Sequence, residues 1–269
     1  MRSMPTRERA AVRVHDTAIV DPAAELASGV EIGPYSIVGP GVRIGANSRL
    51  GPRVLIEKDT TLGTGCRIAN GAVLGTDPQD LKYEGEETVL EIGDRTVIRE
   101  FATVNRGTAA SGRTTVGSDC LLMAYCHIAH DCELGNHVVV SNATNMAGHV
   151  VIEDWAIISG LVAIHQFVRI GAHSFVGGGS RISQDVPPYC KVAGNPSPKL
   201  YGLNTVGMER RGISADVRRC LKRTYRILFQ SEWNLSQAVE RVEAETDLMC
   251  PDVGYFLDFI RNSERGITF

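Results

Sequence analysis

A chain of 269 residues, 43% of them hydrophobic, can bury a substantial core in one large or two modest domains. The formal net charge of −3 comes without any strongly basic stretch, which argues against nucleic acid as a partner. No apolar run approaches the roughly 20 residues of a membrane span.

Residues 1–13 read as a flexible N-terminal tail. Met1-Arg-Ser-Met-Pro-Thr-Arg-Glu-Arg9 has charges but no apolar segment behind them, so it is not a secretory signal. From Val20 a period of six takes over: Leu26, Ile32, Val38, Ile44, Leu50, Ile56, Leu62, Ile68 and Leu74 fall at consecutive steps. Asp80 and Glu86 interrupt it, Ile92, Ile98 and Val104 resume the phase, and Ala110 is the last miss. Every sixth residue from Val116 to Ile182 is then aliphatic or Met. Neither an amphipathic helix nor an alternating sheet predicts such a pattern.

Two places before each aliphatic residue from Val116 to Ile182 sits a small or β-branched one, on the same face of a short strand. Cys66, Cys120, Cys126 and Cys132 occupy such positions, where cysteine acts as compact apolar filler rather than a ligand. Reduced thiols without a secretory signal indicate the cytoplasm. Gly33, Gly39, Gly45, Gly51 and Gly63 follow the aliphatic residue directly and are expected to make tight corners. Short strands and corners at fixed spacing predict a parallel β-helix of hexapeptide repeats over residues 14–190. The polar breaks around Asp77–Thr88 and Gly107–Arg113 read as loops thrown out from its wall, where function is often carried.

Outward positions carry a second period. Ile19, Ile37, Leu55 and Val73 recur every 18 residues, and Leu121, Val139, Ile157 and Phe175 repeat the pattern, so three hexapeptides make a coil with one apolar outer face. Such a stripe marks an interface, and cyclic association into a homotrimer would cover it. Alternatively, the C-terminal helices fold back over it.

Beyond Asp185-Val-Pro-Pro-Tyr189, the breaker-rich Gly194-Asn-Pro-Ser-Pro198 makes residues 191–204 a connector. Residues 205–269 have helical spacing. Ser214 can cap a helix to about Gln230, Asn234 or Ser236 starts a second to about Thr246, and a third runs from about Asp252 to Arg261.

His127, His130, His149 and His165 fall near one another in the second repeat block, and none takes an inward position. Two chemistries fit. A histidine could act as general base on a hydroxyl that attacks an acyl carbon, with Asp131 holding the ring and backbone N–H groups near Gly148 stabilising the oxyanion. The histidines could instead bind zinc, although His-x-x-His alone is a weak metal signal.

Several runs carry a resemblance. Asp77-Pro-Gln-Asp-Leu-Lys-Tyr-Glu-Gly85, Asn105-Arg-Gly-Thr108, His127-Ile-Ala-His-Asp-Cys132, Ala147-Gly-His149, His165-Gln-Phe167, Gln184-Asp-Val-Pro-Pro-Tyr189 and Arg210-Arg-Gly212 stand in order along the chain. Together they resemble the bacterial acyl-(acyl-carrier-protein)–UDP-N-acetylglucosamine O-acyltransferase family, from Val14 to the C-terminus. The resemblance implies a homotrimer of left-handed parallel β-helices with C-terminal helices, no cofactor and no metal. It implies transfer of a hydroxyacyl chain from acyl carrier protein to the glucosamine 3-hydroxyl of UDP-N-acetylglucosamine, the first step of lipid A synthesis. His130 would be the base, Asp131 its orienting partner and Gly148 an oxyanion donor. Gln79, Asp80, Lys82, His127, His149 and Gln166 would hold the sugar nucleotide, with His165 near the acyl or sugar groups. Asn204, Arg210 and Arg211 would meet phosphates, uracil or the carrier-bound arm. Gly178 would be the acyl-length ruler, and a glycine there implies a long chain. The 3-amino analogue of the sugar nucleotide is the alternative acceptor, and an acetyl-CoA-dependent hexapeptide transferase is a more distant reading.

Overall fold

The computed structural model describes residues 11–269. Of the expected 1–13 tail, residues 1–10 lie outside the described residues, and a first strand already begins at Arg13. Contacts divide the chain into two compact units, the first ending at Cys132 and the second spanning Glu133–Phe269. The division falls inside the repeat rather than at residue 190. In a coil stack each coil touches only its neighbours, whereas the C-terminal helices cluster with the last coils.

The first unit has three walls of very short parallel strands. One stacks Arg13–Val14, Glu31–Ile32, Arg49–Leu50, Arg67–Ile68, Val97–Ile98 and Leu121–Leu122. A second stacks Ile19–Val20, Ile37–Val38, Leu55–Ile56, Val73–Thr76, Thr103–Asn105 and His127–Ile128. The third runs through Glu25–Leu26, Arg43–Ile44, Thr60–Leu62, Val89–Ile92 and Arg113–Val116. The predicted six-step aliphatics from Ile32 onward are buried between the walls, and the four repeat cysteines are buried with them. Inward hydroxyls are satisfied across coils: Ser36 donates to the Gly51 carbonyl and Ser48 to that of Gly63, each at 2.8 Å.

Two expectations about the coils are corrected. The glycine after each core aliphatic is not the corner. The left-handed corner residue lies three places after the aliphatic one and is mostly not glycine: Tyr35, Asn47, Arg53, Tyr125 and Asp131 all have positive φ. The glycines one place after are required by close approach instead, since a Cβ on Gly39 would lie 1.5 Å from the Glu57 carbonyl oxygen of the next coil. Nor is there a single apolar outer face. Ile19, Ile37, Leu55 and Val73 share one wall, but Leu121 pairs with Val97 on another. The 77–88 loop lies between, and beyond it the first stripe continues as Thr103 and His127. The apolar stripe therefore ends where polar chemistry begins.

In the second unit, Val139–Val140, Ile157–Ile158, Phe175–Val176 and Cys190–Ala193 stack in one wall. Asn145–Met146, Ala163–Ile164 and Arg181–Ile182 form another, and Glu133–Leu134, Val151–Ile152 and Arg169–Ile170 the third. The expected connector 191–204 is ordered structure. Cys190–Ala193 continues the wall and turns back as Lys199–Leu203, antiparallel to it. The breaker-rich run that suggested a linker is the turn of this hairpin. Helix α1, Thr205–Arg210, was not expected. Helices α2 (Ala215–Gln230), α3 (Leu235–Ala244) and α4 (Pro251–Arg261) follow the predicted spans, and Ser214 and Asn234 cap α2 and α3 as anticipated. Leu221, Tyr225 and Leu228 of α2 pack with Val239, Val242, Phe256 and Phe259, and this cluster includes Tyr189 and Leu203. Among the described residues no helix is long and apolar enough to cross a membrane.

Candidate active site

In the first unit, His130 and Asp131 follow the strand His127–Ile128, and the left-handed backbone of Asp131 sets the direction of its carboxylate. That carboxylate is buried and collects four donors. The Thr108 N–H reaches Oδ1 at 2.9 Å, the Thr108 hydroxyl reaches Oδ2 at 2.7 Å, and Ser111 donates to Oδ1. His130 Nδ1 lies 2.7 Å from Oδ2. Burial pushes the acid up, but the bonds from Ser111, His130 and Thr108 outweigh it and hold the carboxyl at about 2. An ionised carboxylate only accepts, so Nδ1 carries the proton and Nε2 offers its lone pair. That is the tautomer a general base needs.

His127 points outward on its strand, and its Nδ1 lies 2.7 Å from the Thr103 hydroxyl of the preceding coil. Burial and the neighbouring His130 hold its imidazole below the usual range, so it stays neutral. Gln79, Asp80 and Lys82 sit together on the 77–88 loop, where the Lys82 N–H is bonded to the Asp80 carboxylate at 3.0 Å. Gln79 and Lys82 are exposed, and Leu81 is fully exposed between Asp80 and Lys82.

In the second unit, Gly148 is buried and its carbonyl accepts from the Phe167 N–H at 3.3 Å. The His149 ring stacks on Phe167 with 4.6 Å between centroids. His165 and Gln166 are exposed. The His165 Nδ1 lies 3.2 Å from Arg265 Nη2 and 3.1 Å from the Gln166 carbonyl. Only one of these bonds forms at a time, because Nδ1 must accept from the first and donate to the second. Gly178 is exposed, with the Gly160 carbonyl oxygen 3.3 Å from where a Cβ would sit.

Asn204, Arg210 and Arg211 come together around a cavity of 310 Å³ that also touches Ile157, Phe175, Lys191 and Val206. Helix α1 therefore borders Ile157 and Phe175, the outward apolar residues of the second unit's wall. Asn204 is committed within the fold: its Nδ2 donates to the His173 carbonyl at 2.9 Å and its Oδ1 caps α1. Arg211 lies over Trp155, 5.2 Å from the ring, and its Nη1 is buried without a hydrogen-bond partner among the described residues, a donor suited to an anionic group. Burial lowers its pKa from the usual guanidinium range.

Sequence reasoning singled out the Asn105-Arg-Gly-Thr108 run without giving Arg106 or Thr108 a role, and it missed Thr103, Ser111 and Trp155. The signal for Thr108 and Ser111 was the second break in the repeat, where a polar insertion abuts a core strand.

Residues 185–268 match the family described as Udp N-acetylglucosamine O-acyltransferase, domain 2, and residues 41–76 and 113–148 match bacterial transferase hexapeptide repeats. The chain is 56% identical to the acyl-(acyl-carrier-protein)–UDP-N-acetylglucosamine O-acyltransferase of Paracidovorax citrulli, over 95% of this chain and 98% of that one. It is 50% identical to the protein of the same name from Myxococcus xanthus, over 95% and 99%. Among solved structures, a UDP-N-acetylglucosamine acyltransferase from Bacteroides fragilis superposes with a TM-score of 0.92 at 45% identity, covering 94% of this chain and 98% of that one. A UDP-N-acetylglucosamine O-acyltransferase from Moraxella catarrhalis gives 0.91 at 41%, over 95% and 99%. The fold is a left-handed parallel β-helix of hexapeptide repeats followed by a small C-terminal helical region.

Proposed function

The chain belongs to the acyl-(acyl-carrier-protein)–UDP-N-acetylglucosamine O-acyltransferase family, and on that premise we propose that it carries a 3-hydroxyacyl chain from acyl carrier protein to the glucosamine 3-hydroxyl of UDP-N-acetylglucosamine, opening lipid A synthesis in the cytoplasm. The observation that carries the reading is the His130–Asp131 pair, with its carboxylate saturated and its ring held in the basic tautomer.

His130 Nε2 takes the proton of the sugar hydroxyl as its oxygen attacks the thioester carbonyl. The carbonyl oxygen becomes an oxyanion, for which Gly148 is the proposed donor. The C–S bond then breaks, and the carrier thiolate receives the proton from His130. Asp131 stays ionised throughout and steadies the imidazolium. Gln79, Asp80, Lys82, His127, His149 and Gln166 are the proposed contacts to the sugar nucleotide, with His165 near the reacting groups. Arg210 and Arg211 are proposed for an anionic or carrier-borne group, supported by the buried Arg211 Nη1, which has no hydrogen-bond partner among the described residues. Asn204 shapes that cavity. Gly178 leaves room for a long acyl chain, and the assembly is a homotrimer.

The test is an acyl-transfer assay. Purified protein receives UDP-N-acetylglucosamine and hydroxyacyl carrier proteins of several lengths, with the product read by mass spectrometry. One long-chain sugar ester is expected. His130→Ala should lower kcat by about 10²–10⁴-fold without loss of fold; appreciable remaining activity would refute the base assignment.

A further inference from the structure

We propose that the Asn105–Thr108 run is the positioning element of this site, with Arg106 clamping the root of the 77–88 loop and Thr108 holding Asp131. The inference rests on the acyltransfer reading for what the loop and the dyad do.

Arg106 is a fully buried cation; among the described residues its Nη1 and Nη2 bonds go to the 77–88 loop and its root, while its buried Nε makes no hydrogen bond. Nη1 donates to the Gly75 carbonyl, while Nη2 donates to the Asp77 carboxylate and, at 3.1 Å, to the Tyr83 hydroxyl. The Tyr83 hydroxyl lies 3.1 Å from the Glu86 carbonyl, so the clamp reaches the far side of the loop. Asn105 adds two bonds from Nδ2, to the Thr76 hydroxyl and the Asp77 carbonyl, each at 2.8 Å. The Arg106 N–H meets the Thr76 carbonyl at 3.0 Å. Gln79, Asp80 and Lys82 lie between the gripped points Asp77 and Tyr83. Burying a guanidinium is costly unless its bonds are made, and these bonds exist only with the loop root in place.

Two residues on, Thr108 gives both its N–H and its hydroxyl to Asp131. One backbone segment thus fixes the loop on one side and the carboxylate on the other. A rigid link of this kind sets the distance between acceptor-binding groups and base, which proximity catalysis demands.

The two ends predict separable effects. In Arg106→Gln, KM for UDP-N-acetylglucosamine should rise about 10-fold with kcat within about 3-fold, and Arg106→Lys should recover part of the loss. Tyr83→Phe leaves the buried cation in place and should raise KM about 2–5-fold, which covers the case in which Arg106→Gln does not fold. In Thr108→Val the split reverses: kcat should fall about 10-fold with KM little changed. Trypsin cleavage after Lys82 reads the clamp independently of activity and should quicken in Arg106→Gln and Tyr83→Phe. Unchanged cleavage in both folded variants overturns the clamp. Faster cleavage with unchanged KM overturns its positioning role. An inactive wild-type protein would instead refute the reaction reading, and the cleavage result would still judge the clamp.

Discussion

Asp131 receives donors from a backbone amide, two hydroxyls and an imidazole, and each favours its ionised form. Its carboxyl is held at about 2, below the ordinary 3.8, so the unfolded chain binds more protons between those values. The stabilisation is therefore complete above pH 3.8 and is lost as pH falls through about 2, a contribution of roughly 2 kcal/mol. Urea unfolding followed against pH should show this acid-side loss in the native protein. Asp131→Asn should be weaker at neutral pH yet flatter below pH 4; an equally steep acid limb would place the effect elsewhere. His127 and His173 give the same sign at higher pH. Burial holds both rings below 6.5, so stability is full above that value and falls as pH drops below it. His127→Gln should flatten part of that region.

At the scale of the coil, two glycines make opposite predictions. Gly39 faces the next coil's backbone, so Gly39→Ala must displace the Glu57 carbonyl and should cost several kcal/mol or abolish soluble protein. Gly254 lies within α4 with open space around its Cβ position, so Gly254→Ala should raise stability by about 0.5–1 kcal/mol. Thermal unfolding of both variants checks the pair. The contrast also explains what was legible in the chain. Core positions and helix spans could be read because burial imposes a period and caps impose residue types, as at Ser214 and Asn234. The corner was misplaced because a left-handed backbone here accepts Tyr35, Arg53 and Asp131 as well as Gly41 and Gly65, so its glycine signature is broken. The Cys190–Leu203 hairpin was hidden because a turn and a linker use the same breakers. The dyad His130–Asp131 was visible as neighbours in sequence. Its hydroxyl partners were not, because Thr108 and Ser111 arrive from an insertion whose path no periodicity describes.

For the whole molecule, the proposal of three chains rests on surface that a single chain leaves open. Ile19 and Ile37 are 64% and 43% exposed on one wall of the first unit, stacked one coil apart. Adjacent exposed β-branched residues are an interface signal of the kind cyclic assemblies bury. In the second unit, Ile157 and Phe175 are instead half-buried and border the cavity beside α1, so that part of the apolar surface has helical cover within the chain. Ile37→Glu tests the exposed part. An exposed substitution should change the stability of the lone chain by no more than about 0.5 kcal/mol, whereas a charge in a closed interface must be desolvated without a partner. Native mass spectrometry should find three chains per particle in the wild type and smaller particles for Ile37→Glu. Activity per chain should then fall on dilution, because mass action empties a weakened assembly. A wild-type monomer with full activity would remove the trimer and leave the Ile19–Ile37 stripe as surface for some other partner.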